Sequence, residues 1–316
     1  MIDDSTPMAP ASLSSLPGNV VLQDPHWIDL HAPTLEEMQT LASHFGFHPL
    51  SVEDALDPRA QRPKLDRYDA YRYIIFYEFD VPTETGPGKP HEFHVFWGRD
   101  YVVTVHEGDV GVVEEAKRRW RLQEYDGAYD CTALVHTILD VAVDSALPVI
   151  DAMTERVEEL EDMVFERQHE NLAQRGQVIR RDLVALRRIL MPERDIVVGI
   201  GRDPWIGANT ELVRYFDDIY DHVTRAAESV DTEREIVTGV LESYLSAVSN
   251  SLNEVMKTLT VAATILMTMS VIVGIYGMNF VHMPELGWKL GYPLALGLMG
   301  ASAAALLAYF RRQRWL

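Results

Sequence analysis

"TLTVAATILMTMSVIVGIYGMNF" occupies residues 258–280, and how it is read decides the fold. No charged residue appears between Lys257 and Glu285. Residues 258–276 alone suffice to cross a hydrocarbon core ~30 Å thick as a helix. A second uncharged run, "LGYPLALGLMGASAAALLAYF" (290–310), follows closely, and its Gly297, Gly300, Ala301, Ser302 and Ala304 permit close helix contact in lipid. Two buried helices of a soluble protein are a poorer account of two such runs joined by a short turn. We expect a C-terminal membrane hairpin: a first helix at 258–276, an extracytoplasmic loop at 277–291, a second helix at 292–310 and a basic tail at 311–316.

The flanks orient it. Lys257 precedes the first span and "RRQRWL" closes the chain, so both termini are expected in the cytoplasm. Tyr276, Trp288, Tyr292, Tyr309 and Trp315 sit where interfacial aromatics belong. The chain has 316 residues and a net charge of −20. Residues 257–316 carry Lys257, Lys289, Arg311, Arg312 and Arg314 against Glu285, a net +4, which leaves −24 on residues 1–256. A phosphate backbone needs a basic surface, so nucleic acid is excluded as a partner. Cations are the natural counterpart. The single cysteine, Cys131, allows neither an intrachain disulfide nor a zinc-finger spacing. Residues 1–20, rich in Ser and Pro, lack the basic start and apolar core of a signal peptide and read as a disordered leader.

Residues 21–130 read as an α/β domain. Thr34 and Glu37 form a capping box before "LEEMQTLASHFG", and a further helix is expected from Ser51 with Asp54 in the answering position. "YRYIIFYEFDV" is rich in β-formers, and "HEFHVFWGRDYVVTVHEG" is a hairpin turning at Gly98–Asp100. His91 and His94, three apart on a strand, face opposite sides, which argues against a shared metal. Residues 131–209 read as a helical hairpin, an acidic segment (155–170) against a basic one (175–194).

Residues 210–257 form a stalk helix. No proline interrupts the chain between Pro204 and Pro284. Leu212, Phe216, Ile219, Val223, Ala226 and Val230 recur at intervals of four and three, and Val237, Val240, Tyr244, Val248, Val255 and Leu259 prolong the stripe. From Thr210 to Tyr276 such a helix would reach roughly 100 Å at 1.5 Å per residue. A lone helix cannot bury that stripe, nor can one hairpin enclose a water path. Both features ask for a homo-oligomer.

At 100° per residue, Met256, Thr260, Ala263, Met267, Ser270 and Gly274 fall on one stripe leading to Gly277 and Met278. A packing seam would look similar; a pore wall with methionine constrictions that close by dewetting is the functional reading. The stripe carries no charge. Mg²⁺ gives up its waters reluctantly, and a ring of Asn279 carbonyls accepts hydrogen bonds from those waters without stripping them. Gly277 would let the backbone turn beside it.

"YGMNF", then "MPEL", then "GY" opening a last helix with a basic end, together with "YFDDIYDH" and "SNSLNEVMKTLT", resembles the CorA family of magnesium transporters. The likeness covers nearly all of the chain after the leader. It implies a homopentamer with a funnel-shaped cytoplasmic domain and a pore lined by the first span, in a bacterial or archaeal inner membrane. By resemblance, Gly277, Met278 and Asn279 match the selectivity motif, and Asn253, Met256, Leu259, Met267, Ser270 and Gly274 match pore-facing positions. There Leu259 takes the place of Thr260, and Ser270 stands where well-studied members have Thr. Glu285 belongs to the extracytoplasmic loop. The family also binds regulatory Mg²⁺ between cytoplasmic domains; Asp218 matches one ligand and Asp80 the other. The resemblance implies Mg²⁺ as substrate, with Co²⁺ and Ni²⁺ alongside, and no separate cofactor. A zinc transporter of the same superfamily is the nearest alternative, though its motif usually replaces the residue at Met278. A membrane-anchored sensor without transport is the other. No P-loop, nucleophile elbow or HExxH spacing points to an enzyme.

Overall fold

A computed structural model of the chain describes residues 19–23, 26–83, 86–108, 110–122, 131–165, 171–206, 210–279 and 283–315. The expected leader lies outside these, except that Asn19 and Val20 open a strand instead of closing a leader. The chain divides into two compact units, one ending at Val240 and one beginning at Leu241.

The first unit contains a six-stranded sheet. Its order is β1 (Asn19–Gln23), β2 (His26–His31), β6 (Tyr101–His106), β5 (Pro90–Trp97), β4 (Arg72–Phe79) and β3 (Lys64–Arg67). Only β2 and β6 pair in parallel; the other neighbours are antiparallel. Strands β4 and β6 are buried along their whole length, which is why β-branched and aromatic residues dominate both. One face of the sheet (Ile28, Tyr73, Ile75, Phe96, Val103) shares a core with Met38 and Leu41 of α1 (Leu35–Phe45) and Val52 of α2 (Pro49–Ala55). Helices α4 (Cys131–Phe165) and α5 (Leu172–Gly201) also pack on the sheet, and α3 (Gly111–Leu122) packs on α4.

Local chemistry sets the element ends. The Thr34–Glu37 capping box forms, with the Thr34 N–H donating to Glu37 Oε2 at 2.7 Å. The next helix does not start at Ser51. It starts at Pro49, capped by His48, whose Nδ1 accepts the Leu50 N–H at 3.2 Å. Proline suits the first helical position because its φ is preset and its missing N–H would find no helical partner. Ser51 instead turns inward, 2.7 Å from the Tyr71 hydroxyl. The β5–β6 turn closes as expected, with the Gly98 N–H on the Tyr101 carbonyl at 2.9 Å.

Strand β3 pairs with β4 only as far as Lys64 opposite Ile75. Beyond it, the Tyr77 N–H donates to Glu193 Oε1 of α5 at 3.0 Å, and the Phe79 N–H donates to Ser145 Oγ of α4 at 2.9 Å. Helix side chains thus finish a ladder that the short strand leaves open. Burial pushes the Glu193 carboxyl far above its ordinary pKa.

Asp203, just past α5, ties that helix to the sheet. Its side chain is 1% exposed and takes Arg72 through two bonds, 2.7 and 3.1 Å, and Arg67 at 3.1 Å. The Arg72 guanidinium also lies 4.1 Å from the Trp205 ring. Burial opposes ionisation of Asp203, but bonds from Arg72, the Trp205 N–H and Arg67 outweigh it and hold its pKa below the usual value. Asp203→Ala leaves Arg72 buried without its partner and should destabilise the fold by about 3–5 kcal/mol. A thermal midpoint unchanged from wild type would refute this. The same pair stabilises fully above the unfolded-state carboxylate pKa and is lost as pH falls through the lowered folded value.

The α4–α5 pair carries two cross-helix ion pairs, Arg175–Glu159 in the expected sense and Arg156–Asp182 in the reverse. Their apolar seam, with Val157, Leu160, Ile179 and Leu183 buried, matters more than these partly exposed charges.

Helix α6 runs unbroken from Thr210 to Tyr276. Leu212, Phe216, Ile219, Val223, Ala226, Val230, Val237 and Val240 are all buried within the single chain. The Tyr215 carbonyl lies 3.2 Å from His136 of α4, Glu233 accepts from Thr154 of α4, and Asp231 accepts from Arg187 of α5. This corrects the expectation that the whole stripe needs other subunits. Its first half is core.

In the second unit the stripe loses its cover: Tyr244 and Val248 are half-buried, and Val255 and Leu259 are 61% and 60% exposed. Helix α7 spans Gly291–Arg312. Among the described residues three helices, α4, α6 and α7, are long and apolar enough to cross a membrane. The apolar stretch of α4 is 72% buried, whereas those of α6 and α7 are 6% buried. The first is a protein core; the other two present bare apolar surface.

Candidate ion pathway and cation site

Asn253, Met256, Leu259, Met267, Ser270 and Gly274 all stand on the unbroken part of α6, at steps that keep them along one side. Met256, Leu259 and Met267 are 57%, 60% and 68% exposed, so nothing among the described residues covers them. Thr260 is exposed as well, and the single chain does not choose between it and Leu259. The Ser270 hydroxyl donates to the Leu266 carbonyl at 2.8 Å, and Thr260, Thr264 and Thr268 do likewise to residues four earlier. Their protons are committed to the helix, so what these oxygens offer outward is acceptor capacity.

The helix ends in the motif. The Gly277 N–H donates to the Val273 carbonyl at 2.8 Å, and Met278 and Asn279 are exposed beyond the last turn. Gly277 does not adopt positive φ. What it avoids is crowding, since a Cβ there would lie 3.1 Å from the Val273 oxygen. Glu285 falls in a short 3-10 helix, Pro284–Gly287, and residues 280–282 of the loop lie outside the described residues.

A second cluster lies in the first unit. Asp140 and Asp144, one turn apart on α4, and His222 of α6 bring ligand atoms within 4.8 Å of one another. His222 Nδ1 is 3.8 Å from Asp144 Oδ1, and its Nε2 is 3.9 Å from Asp218 Oδ1. Burial and the neighbouring Asp144 push Asp140 above its usual pKa. One turn before it, buried His136 is pushed down to about 4 and is therefore neutral at pH 7. Asp218 sits at the rim, its side chain 67% exposed. Asp80 does not join this group; its carboxylate pairs with His91 Nε2 at 2.9 Å. His94 turns away to the Tyr73 hydroxyl at 2.8 Å, so the two histidines share no site. Sequence reasoning named Asp218 but missed Asp140, Asp144 and His222. Two carboxylates four apart in the otherwise apolar "VHTILDVAVDSALPV" were the available signal.

Residues 23–312 match the family described as CorA-like Mg²⁺ transporter protein. The chain belongs to the CorA family. The cobalt/magnesium transport protein CorA of Thermotoga maritima is 35% identical over 298 residues, covering 92% of this chain and 84% of that protein. The putative metal ion transporter YfjQ of Bacillus subtilis is 33% identical, covering 92% of this chain and 89% of its own. The solved CorA magnesium transporter of Methanocaldococcus jannaschii superposes with a TM-score of 0.78 at 22% identity, covering 92% and 91% of the two chains, and so shares the fold. CorA proteins are membrane ion transporters rather than enzymes, which agrees with the bare apolar helices α6 and α7.

Proposed function

We propose that the chain assembles around an axis as a homo-oligomer, a pentamer by family likeness, and passes Mg²⁺ inward, with Co²⁺ and Ni²⁺ as further substrates. The observation that carries this reading is the exposed, uncharged side of α6 that ends at Gly277, Met278 and Asn279. Copies of that side facing one another form a wall of methionine and hydroxyl acceptors, with Asn279 amides at the mouth accepting from a hydrated ion's waters. Lys257 and the Arg311, Arg312 and Arg314 tail favour cytoplasmic termini. Met278 favours magnesium over the zinc branch. Uptake of Mg²⁺, Co²⁺ and Zn²⁺ into liposomes, measured in parallel, tests it: Mg²⁺ and Co²⁺ should enter, whereas Zn²⁺ uptake without Mg²⁺ uptake supports the zinc alternative. No uptake of any ion by folded protein supports the anchored sensor.

Gating follows from the second cluster. The acidic part carries −24 per chain, so an oligomer repels itself there. A divalent ion held by Asp140, Asp144 and His222, with Asp218 and Asp80 toward a neighbouring subunit, offsets that repulsion. It selects a closed state by its excess affinity for that state. Mg²⁺ should therefore protect the wild-type oligomer from protease where NaCl at matched ionic strength does not, and Asp218→Lys should lose most of that protection. Equal protection by both salts would make these carboxylates ordinary surface charge.

A further inference from the structure

Helix α3 sends a cation of its own into this cluster. Arg119 Nη1 lies 2.8 Å from Asp140 Oδ2 and 2.8 Å from Asp144 Oδ2, and Arg119 Nε lies 3.1 Å from Glu115 Oε1. The guanidinium thus bridges the two carboxylates that would ligate a metal beside His222. An ion that takes those Oδ2 atoms at about 2–2.5 Å displaces the guanidinium, and one held by the Oδ1 atoms beside His222 sits next to its positive charge; in either case Arg119 opposes the ion. Glu115 is already held by Arg118 at 2.7 and 2.6 Å, so it keeps a partner whether Arg119 stays or moves.

We propose that Arg119 is a tethered competitor for the divalent ion at Asp140 and Asp144, raising the ion concentration at which the site fills. This rests on the reading that Asp140, Asp144 and His222 bind such an ion. Displacing Arg119 breaks two charge-assisted hydrogen bonds and retaining it leaves two like charges side by side, so its presence weakens the ion's apparent affinity. By reciprocity the bound ion weakens the polar tie that Arg119 makes between α3 and α4, so filling of the site is coupled to that helix.

The test is Mn²⁺ titration of the purified full-length oligomer, with free Mn²⁺ followed by electron paramagnetic resonance. Arg119→Gln should lower the half-filling concentration about tenfold, the scale of one charge-assisted bond. Arg118→Gln removes the same charge one residue away, from a side chain that is 66% exposed and does not touch Asp140 or Asp144, and should change half-filling less than about twofold. Arg119→Lys keeps the charge without the planar fork and should shift filling in the same direction by less, which serves if the glutamine variant does not fold. Equal shifts for positions 118 and 119, or none at 119, overturn the competition while leaving the cation site in place. If Asp140→Asn with Asp144→Asn leaves Mn²⁺ binding unchanged, the cation site itself falls, and the competition with it.

Discussion

Asn279→Ala is expected to cut selective Mg²⁺ uptake by on the order of a hundredfold or more while leaving the protein folded and inserted. Each subunit loses one amide acceptor, and a hydrogen bond is worth ~1 kcal/mol, so several losses around an axis compound. The fold should not suffer, because Asn279 is exposed past the end of α6. Asn279→Asp keeps an acceptor and adds charge, so it should retain uptake but favour ions that shed water more readily. Flux into liposomes from protein with an unchanged size-exclusion profile is the measurement. Wild-type flux in Asn279→Ala would remove the amide from the mechanism.

Met267→Asp should have the next largest effect. Met267 is 68% exposed on the uncharged side of α6. A ring of thioethers closes a narrow passage by excluding water, and a ring of carboxylates wets it and draws cations in. Uptake should then persist at internal Mg²⁺ that shuts the wild type, with several-fold higher leak. If position 267 faces lipid instead, the buried charge should cost insertion by ~2.5–3.5 kcal/mol, and folded yield rather than flux would fall.

The two membrane runs were legible because length and absence of charge suffice to identify them, and the uninterrupted course of α6 follows from the missing prolines. Mean hydropathy alone does not separate α4 from α6 and α7; the charged Asp140 and Asp144 of α4 and its burial inside the first unit do. The heptad stripe misled for a related reason. Leu212 to Val240 pack against this chain's own α4 and α5, and periodicity reports that a face is covered, not by what. Ser51 looked like a cap by type, yet Pro49 and His48 took the role and freed Ser51 for Tyr71. The motif at Gly277 to Asn279 was readable in one stretch. Asp140, Asp144 and His222 were not, because α4 and α6 meet only in the fold.

Cysteine scanning along α6 tests the account most directly. The one native cysteine, Cys131, is 2% exposed, so a bulky impermeant reagent leaves it as a silent background. Single cysteines at 256, 259, 263, 267, 270 and 274, and at control positions 265, 268 and 272 on the opposite side of the helix, would be exposed to a membrane-impermeant thiol reagent in liposomes. The account predicts labelling at the first set, at helical spacing, slowed by Mg²⁺, with the controls shielded by lipid. Labelling confined to 265, 268 and 272, or no labelling anywhere along α6 in protein that transports Mg²⁺, would contradict it.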